Sequence, residues 1–163
     1  MLKKGLKNIP VLAVKGNAPI QDRLQILNQK ERYAVLATES DGQPYTALIA
    51  YALTDNLKGV VFATPKNTCK FKNILKNPRV SILIDSRTNS SGDYLSIESV
   101  TVAGTARSLR KGRKWDESAA VLVKKHPQLS DFIVSSTTAL ILTNVTHYVH
   151  VCNFQDISEW HIK

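Results

Sequence analysis

Apolar residues along the chain switch between helical spacing and the alternation or short runs that are typical of strands. Residues 18–30 place Ile20, Leu24 and Leu27 on one face and carry a proline in the first turn, which predicts an amphipathic helix. Two β-rich segments, YAVLAT and PYTALIAYALT, follow, and the turn between them has Asp-Gly at its centre. The chain therefore begins with a helix that leads into a predicted hairpin.

The rest of the chain alternates in the same way. A strand at residues 60–63 leads through a polar turn into a short basic helix, which Asn77 and Pro78 end. The long strand predicted at residues 94–109 contains Gly104, which indicates a bulge or a sharp bend. The other predicted elements are the helices 67–76, 110–125 and 127–133 and the strands 80–85, 138–154 and 157–162.

These elements predict a single α+β domain over residues 1–163, which is long enough to bury a core without disulfides or metal. Six or seven mostly antiparallel strands, with helices inserted rather than alternating, favour a β-barrel with flanking helices over a doubly wound sheet. Residues 1–17 begin basic and then become apolar, interrupted by Pro10 and Lys15, with no small-residue cleavage site after them. We expect an extended N-terminal arm there rather than a signal peptide.

The segment 60–85 (VVFATPKNTCKFKNILKNPRVSILID) contains the most informative candidate site. Its turn offers hydroxyls at Thr64 and Thr68 and ammonium groups at Lys66 and Lys70, where a strand ends and a helix begins. A helix start presents unpaired N–H groups and a partial positive charge, so these groups together describe a phosphate pocket. An ordinary strand–helix junction with solvated lysines is the alternative, and the segment alone leaves both open.

The strand at residues 44–52 is apolar nearly throughout and contains the small residues Ala47, Ala50 and Ala52. Such a strand is buried on both faces, or it lies against another subunit or a flat ligand. Its small side chains would let a ligand approach the backbone. A central barrel strand is the other interpretation.

Charge and cysteine content narrow the function classes. The net charge of +9 favours an anionic partner, but the basic residues are spread out and no nucleic-acid-binding signature appears, so we do not expect nucleic-acid binding. No apolar run reaches the ~20 residues that span a bilayer, so we expect no membrane association. Cys69 and Cys152 lack CxxC spacing, which disfavours a disulfide framework or a zinc site and favours the cytoplasm.

The sequence contains none of the common catalytic or nucleotide-binding motifs G-x-S-x-G, P-loop, GxGxxG and HExxH. His147 and His150 stand three apart on a predicted strand and point to opposite faces, so we expect no metal site. His126 follows a helix and is expected to be a C-terminal charge. Glu98 lies in the middle of a predicted strand, and the sequence identifies no partner for it. The catalytic residues are thus unknown, and if the protein is an enzyme, a cofactor supplies the chemistry.

Together, the segments YAVLAT, DGQPYTALIAY and FATPKNTCKFKNILKNPRVSILID resemble the FMN-binding split-barrel family related to pyridoxamine 5′-phosphate oxidase. The resemblance covers roughly residues 18–109 and rests on the ordered combination of segments. It implies a six-stranded antiparallel split β-barrel with flanking helices. It also implies a homodimer with FMN at the subunit interface.

The resemblance assigns the FMN phosphate to Thr64, Thr68 and Lys70, with Ala63 and Lys66 beside them. Many family members have an arginine between the last two phosphate-binding positions, where this chain has Cys69. That difference removes one positive charge, and Lys66 is a candidate replacement.

The family's second strand runs along the isoalloxazine ring, and the resemblance places this role on Ala47, Leu48 and Ile49. A tryptophan near the C-terminus of family members often reaches the flavin from the partner subunit. Trp160 is the candidate for that role here.

The resemblance implies a cytoplasmic FMN-dependent oxidoreductase, acting on a small molecule that the sequence does not identify. The true oxidase ends in an Arg-x-His motif, whereas no arginine precedes His161 at that spacing, so we do not expect pyridoxamine phosphate oxidation. Deazaflavin (F420) and haem are alternative cofactors. The alternative function is a non-catalytic flavin- or haem-binding protein on the same barrel, with His147 or His150 as a haem ligand.

Overall fold

The computed structural model describes residues 19–87, 96–153 and 156–163. The predicted N-terminal arm at residues 1–17 lies outside these ranges. The helices are α1 (Ile20–Lys30), α2 (Cys69–Lys76), α3 (Arg113–Lys125) and α4 (Ser130–Val134), and a 3-10 turn (Pro127–Leu129) precedes α4. The strands are β1 (Tyr33–Ser40), β2 (Gln43–Leu53), β3 (Gly59–Pro65), β4 (Arg79–Asp85), β5 (Ser99–Ser108), β6 (Thr138–Cys152) and β7 (Asp156–His161).

All seven strands form one antiparallel sheet in the order β3-β2-β1-β4-β5-β6-β7. Pairing of β3 with β6 closes the first six strands into a barrel, and β7 adds a seventh strand outside that closure by pairing with β6. The predicted six-stranded antiparallel barrel with flanking helices is therefore confirmed.

Gly104 lies at an irregularity in the sheet, as its position in a long strand predicts. The pairing of β5 with β6 shifts register between Ala103 and Gly104. A Cβ atom at Gly104 would lie 2.3 Å from the carbonyl oxygen of Asn144, so no other residue fits this close approach of two backbones.

The barrel interior is filled by one apolar cluster, and two helices close its ends. Leu24 and Leu27 of α1 pack into the interior where β1 begins and β6 ends, and Phe71 and Ile74 of α2 pack into it where β3 ends and β4 begins. A second cluster lies outside β3 and β6 beneath α3 and α4, with Leu122 as its buried centre. None of the described helices is long and apolar enough to cross a membrane.

Two predictions about polar residues are wrong. Glu98 precedes β5 instead of lying inside a strand, and it has both a histidine and an arginine as partners. His126 follows α3 as expected, but it is only 1% exposed and donates a hydrogen bond from Nε2 to the carbonyl oxygen of Tyr51 at 2.9 Å. Burial lowers the pKa of His126, although the bond to the Tyr51 carbonyl opposes the shift, so the ring is not the charged helix terminus that its position predicted.

Candidate functional site

β2 and β3 are paired along only part of their length. Their register consists of Tyr51–Phe62, Ala52–Val61 and Leu53–Val60, although β2 has eleven residues and β3 has seven. Beyond Phe62, β3 continues beside β6, while β2 before Tyr51 continues beside β1. The two strands therefore diverge and leave a split between them. The residues assigned to the flavin ring and those assigned to its phosphate lie on the two sides of this split.

Two threonine hydroxyls meet at the β3 side of the split. Thr64 ends the buried part of β3, and Thr68 is the residue immediately before α2; their Oγ1 atoms are 3.0 Å apart. Thr68 donates its proton to the carbonyl oxygen of Pro65 at 2.8 Å, so Thr64 is the donor of the bond between the hydroxyls. The structure brings the two predicted phosphate-binding hydroxyls together, and an incoming anion could accept from both after they rotate.

The start of α2 adds positive charge and free amides to these hydroxyls. Thr68 makes no side-chain capping bond to the helix, and the first turn holds no acidic residue. The first helical bond runs from the amide of Lys72 to the carbonyl of Thr68, which leaves the three amides between them without helical partners. Lys70 lies in this turn, half-buried, and no carboxylate of the described residues pairs with it. This end of α2 can bind a multivalent anion.

Lys66 and Ala63 are less available for binding a phosphate than the sequence suggested. The ammonium group of Lys66 donates to the carbonyl oxygen of Ser136 at 2.7 Å, and its amide donates to the carbonyl of Thr137 at 2.9 Å. Lys66 thus ties the turn to the loop before β6. Ala63 packs against the outer cluster beneath α3, so only its backbone can face the split.

The three strand residues assigned to the ring point in two directions. Ile49 is buried in the barrel core, and Ala47 lies on the same face, half-buried. Leu48 points outward and is 66% exposed, although it lies in the middle of a strand. A ligand along this strand would therefore contact the Leu48 side chain from outside the barrel, and the backbone edge from within the split.

A buried amide network supports the site, and the sequence analysis missed it. Asn73 of α2 is 7% exposed and donates from Nδ2 to Oγ1 of Thr38 at 3.1 Å; Thr38 in turn donates to the carbonyl of Tyr45. The Sγ of Cys69 lies 3.8 Å from Oδ1 of Asn73. This network fixes α2 to the β1–β2 hairpin. The available signal was a polar residue at a core position of the helix, between Phe71 and Ile74.

Trp160 lies far from the threonine pair within the chain. It pairs in register with Tyr148 and stacks on that ring, with centroids 5.6 Å apart. Thr64 pairs instead with Ala139, near the opposite end of β6. A role of Trp160 at the site of a second subunit remains a prediction.

The histidines of β6 point to opposite faces, as their spacing predicts. His150 is 4% exposed, and its Nε2 donates to Oε2 of Glu98 at 2.9 Å. His147 lies on the outer face, where its ring stacks on that of His161 with centroids 5.3 Å apart. Within the described residues, no three His, Cys, Asp or Glu side chains are placed to hold a metal ion.

Comparison with known families gives one match, which spans most of the chain. Residues 20–146 match the model of the pyridoxamine 5′-phosphate oxidase family. The matched region includes β1 to β5, α2 and α3, and hence both sides of the split. No curated protein matches the chain in sequence.

Several solved structures share the fold at low sequence identity. A haem-binding protein from Mycobacterium smegmatis has a TM-score of 0.78 at 19% identity, over 90% of this chain and 60% of that one. The haem storage protein HutZ from Vibrio cholerae has a TM-score of 0.67 at 15% identity, over 78% of this chain and 91% of that one. An FAD-binding protein from Mesorhizobium loti has a TM-score of 0.65 at 19% identity, over 82% and 92%. This chain thus spans only three fifths of the first of these proteins.

Proposed function

Because the chain belongs to the pyridoxamine 5′-phosphate oxidase family, we propose that it binds FMN in the split between β2 and β3 and acts as an FMN-dependent oxidoreductase. The observation that carries the proposal is the pair of threonine hydroxyls, 3.0 Å apart, beside the uncapped start of α2. Hydroxyls, free amides and an ammonium group form the donor set that a phosphate dianion needs.

The donor set fits FMN in charge and in arrangement. Thr64, Thr68 and Lys70 would hold the phosphate, and the diverging edge of β2 near Ala47 and Leu48 would lie along the ring. Bound FMN supplies hydride or electron transfer, while the protein holds it in place and sets its surroundings. The family's usual arginine is Cys69 here, and Lys66 is engaged with Ser136, so Lys70 is the lysine of this turn that would remain to bind the phosphate.

The visible spectrum of the freshly purified protein tests the proposal. We expect flavin absorption or, for protein purified without cofactor, quenching of FMN fluorescence at micromolar protein concentration. A protein that is colourless and fails to take up added FMN would contradict the proposal. Turnover of NAD(P)H by the FMN-loaded protein would then distinguish an oxidoreductase from a flavin-binding module.

A matched pair of lysine variants tests the place of the phosphate. Lys70→Ala is expected to weaken FMN binding by about 1–3 kcal/mol, the range for a lost charge-assisted contact, which is roughly 5- to 150-fold in Kd. Lys72→Ala removes the same charge from the same helix, but from an exposed residue beyond the free amides. Equal effects of the two variants would show that only the net charge matters and that the phosphate lies elsewhere.

We further propose that the protein is a homodimer. Leu48 of β2 is aligned across the sheet with Val35 of β1 and Leu83 of β4. Of the helices in the described residues, α3 and α4 cover β3 and β6 and not this outward row. Tyr33, 54% exposed, extends the same face. A row of apolar side chains of this kind is typical of an interface.

Sedimentation velocity of two charge variants tests the dimer. Leu48→Glu is expected to shift the protein toward monomer, while Val134→Glu, at a residue of similar exposure on α4, is expected to leave it dimeric. A wild-type protein that is monomeric at micromolar concentration would contradict the dimer.

Haem binding is the second candidate function. The specific observation is the stacked pair His147–His161 on the outer face, which offers imidazoles outside the barrel. His150, the other candidate from sequence, is engaged with Glu98 inside it. Haemin titration would decide: a Soret band that His147→Ala abolishes and His150→Ala preserves would favour this function, and no shift of the haemin spectrum would remove it.

A further inference from the structure

A groove of about 1140 Å³ lies away from the split, between α1, α3 and the turn that joins β2 to β3. Its walls include amide side chains of α1 and lysines of α3. The groove is lined in part by Gln25, Asn28, Asn56, Lys114, Lys124 and Lys125. None of these residues belongs to the FMN site proposed above.

Lys125, the last residue of α3, lines this groove, and its ammonium group contacts Asn28, which also lines it. Its Nζ donates to Oδ1 of Asn28 at 3.1 Å and lies 3.6 Å from the centroid of the Tyr51 ring. The same Asn28 oxygen accepts from the amide of Leu53, so its position is fixed by the β2 backbone. No carboxylate of the described residues lies within ion-pair distance of Nζ. Among the described residues, the amine is therefore held in place without an ion-pair partner.

The surroundings of Lys125 favour its uncharged form. Burial in the groove lowers the pKa of Lys125 to about 7, and the nearby positive charge of Arg32 acts in the same direction. The carboxylate of Glu31 and the face of the Tyr51 ring oppose the shift, because both attract a cation. His126, the neighbouring titratable group, is itself held toward its neutral form by burial.

The groove also has an excess of positive charge at its rim. Lys58, Lys114 and Lys124 line it together with the carboxylates Asp55 and Glu117, and Glu117 is already paired with Arg113. Asn and Gln side chains supply further hydrogen-bond donors. A small anion would be attracted here, whereas a cationic ligand would be repelled.

We propose that Lys125 is a nucleophilic amine that forms an imine with a small aldehyde carrying an anionic group, bound in the groove between α1 and α3. A positioned, partly desolvated lysine without an ion-pair partner is the arrangement that activates an amine toward carbonyl carbon. This site is independent of FMN binding, so failure of either proposal leaves the other standing.

The reaction needs no redox partner. The Nζ lone pair forms a bond to the carbonyl carbon, and the C=O π pair moves to oxygen, which takes up a proton while the nitrogen loses one. The resulting carbinolamine expels its oxygen as water, and the C=N bond forms. Amine and aldehyde thus give imine and water.

Reductive trapping tests the proposal on the whole protein. The protein is incubated at pH 7 with succinic semialdehyde and sodium cyanoborohydride, and the modified lysines are identified by peptide mass spectrometry. We expect Lys125 to be modified at least tenfold faster than its exposed neighbour Lys124, because burial lowers the pKa of Lys125 and so increases the uncharged fraction of its amine at pH 7. Butanal, a neutral aldehyde of equal length, is expected to react at least threefold more slowly at Lys125.

Each outcome has a definite meaning. Modification of Lys125 at the rate of Lys124 would overturn the proposal, and equal rates with the two aldehydes would overturn its anionic part. Because mapping is done on the wild-type chain, folding of a variant does not enter the result. Lys125→Arg, which keeps the charge, is expected to remove the fast phase of modification seen by intact mass, whereas Lys124→Arg is expected to keep it.

Discussion

The polar groups at the two ends of the barrel differ in how far their hydrogen bonds and charges are paired within the protein. At the end closed by α1, Glu98 accepts from Nε and Nη2 of Arg23 and from His150, and Glu98 and His150 are buried. At the end closed by α2, Thr64 and Thr68 bond mainly to each other and to local backbone, and Lys70 has no acidic partner among the described residues.

This difference distinguishes charged groups that stabilise the fold from polar groups that can bind a ligand. A buried carboxylate that accepts three hydrogen bonds has little capacity left for a ligand, and removing it leaves three N–H donors unpaired. A half-buried lysine beside free amides, with no acidic partner among the described residues, keeps its hydrogen-bond donors available for a ligand. Substitutions at the α1 end should therefore change the free energy of unfolding, and substitutions at the α2 end should change ligand affinity.

The largest expected effect is that of Glu98→Ala. It removes the acceptor shared by Arg23 and His150, so we expect the free energy of unfolding to fall by about 3 kcal/mol, at the low end for a broken buried ion pair because Arg23 is partly solvated. Urea unfolding followed by circular dichroism measures it. The FMN affinity of the folded variant should be unchanged. A variant that keeps wild-type stability but no longer binds FMN would show that Glu98 serves binding rather than stability.

Thr64→Val tests the opposite end. The substitution keeps the shape of the side chain but removes one hydroxyl, and Thr68 still donates to Pro65. We expect FMN binding to weaken by about 1 kcal/mol, roughly fivefold in Kd, measured by fluorescence quenching. Stability should stay close to wild type, since only one weakly coupled hydrogen bond is lost. A large loss of stability with intact FMN affinity would show that the hydroxyl pair is structural.

The pH dependence of unfolding should come in part from Glu98. Burial raises the pKa of Glu98, but the hydrogen bonds and charges of Arg23 and His150 outweigh it, so the pKa lies below its ordinary value of 4.5. A carboxyl with a lowered pKa in the folded state contributes stability above its unfolded pKa and loses it as pH falls through the folded pKa. Urea unfolding between pH 6 and pH 3 should therefore show a smaller acid loss in Glu98→Gln than in wild type; parallel curves would contradict this origin.

The smallest effect is expected for Glu117→Gln. Glu117 pairs with Arg113 one turn away on α3, at 2.9 Å, but both side chains are largely exposed. Because solvent screens such pairs, urea unfolding should not distinguish the variant from wild type. A clear loss of stability would mean that an ion pair stabilises this protein even when it is exposed. Burial would then not be the reason why the two ends of the barrel differ.

The order of elements was predictable because the spacing of apolar residues is a local property. The spacing of Leu24 and Leu27 predicts α1, and Gly104 within a long strand predicts the bulge. Each prediction needs only a few neighbouring residues. The site was predictable in part for the same reason, since Thr64, Thr68 and Lys70 lie within seven residues of one another.

What could not be predicted depends on contacts between distant parts of the chain. Glu98 meets Arg23 across 75 positions and His150 across 52, so nothing near Glu98 in sequence indicates its partners. Lys125 meets Asn28 across 97 positions, and its altered acidity follows from that burial. The divergence of β2 from β3 likewise depends on where two registers end, which neither strand's own sequence determines.

The divergence of β2 and β3 has a consequence for how this protein can vary among its relatives. Where the strands separate, main-chain N–H and C=O groups lie at an edge without a neighbouring strand in the sheet, and every residue type except proline carries both groups. A flat ligand that binds to such an edge contacts main-chain atoms, which substitution of a side chain does not remove. Side chains along β2 can then change without losing the ligand, which suits a fold that solved structures share with this chain at less than 20% identity.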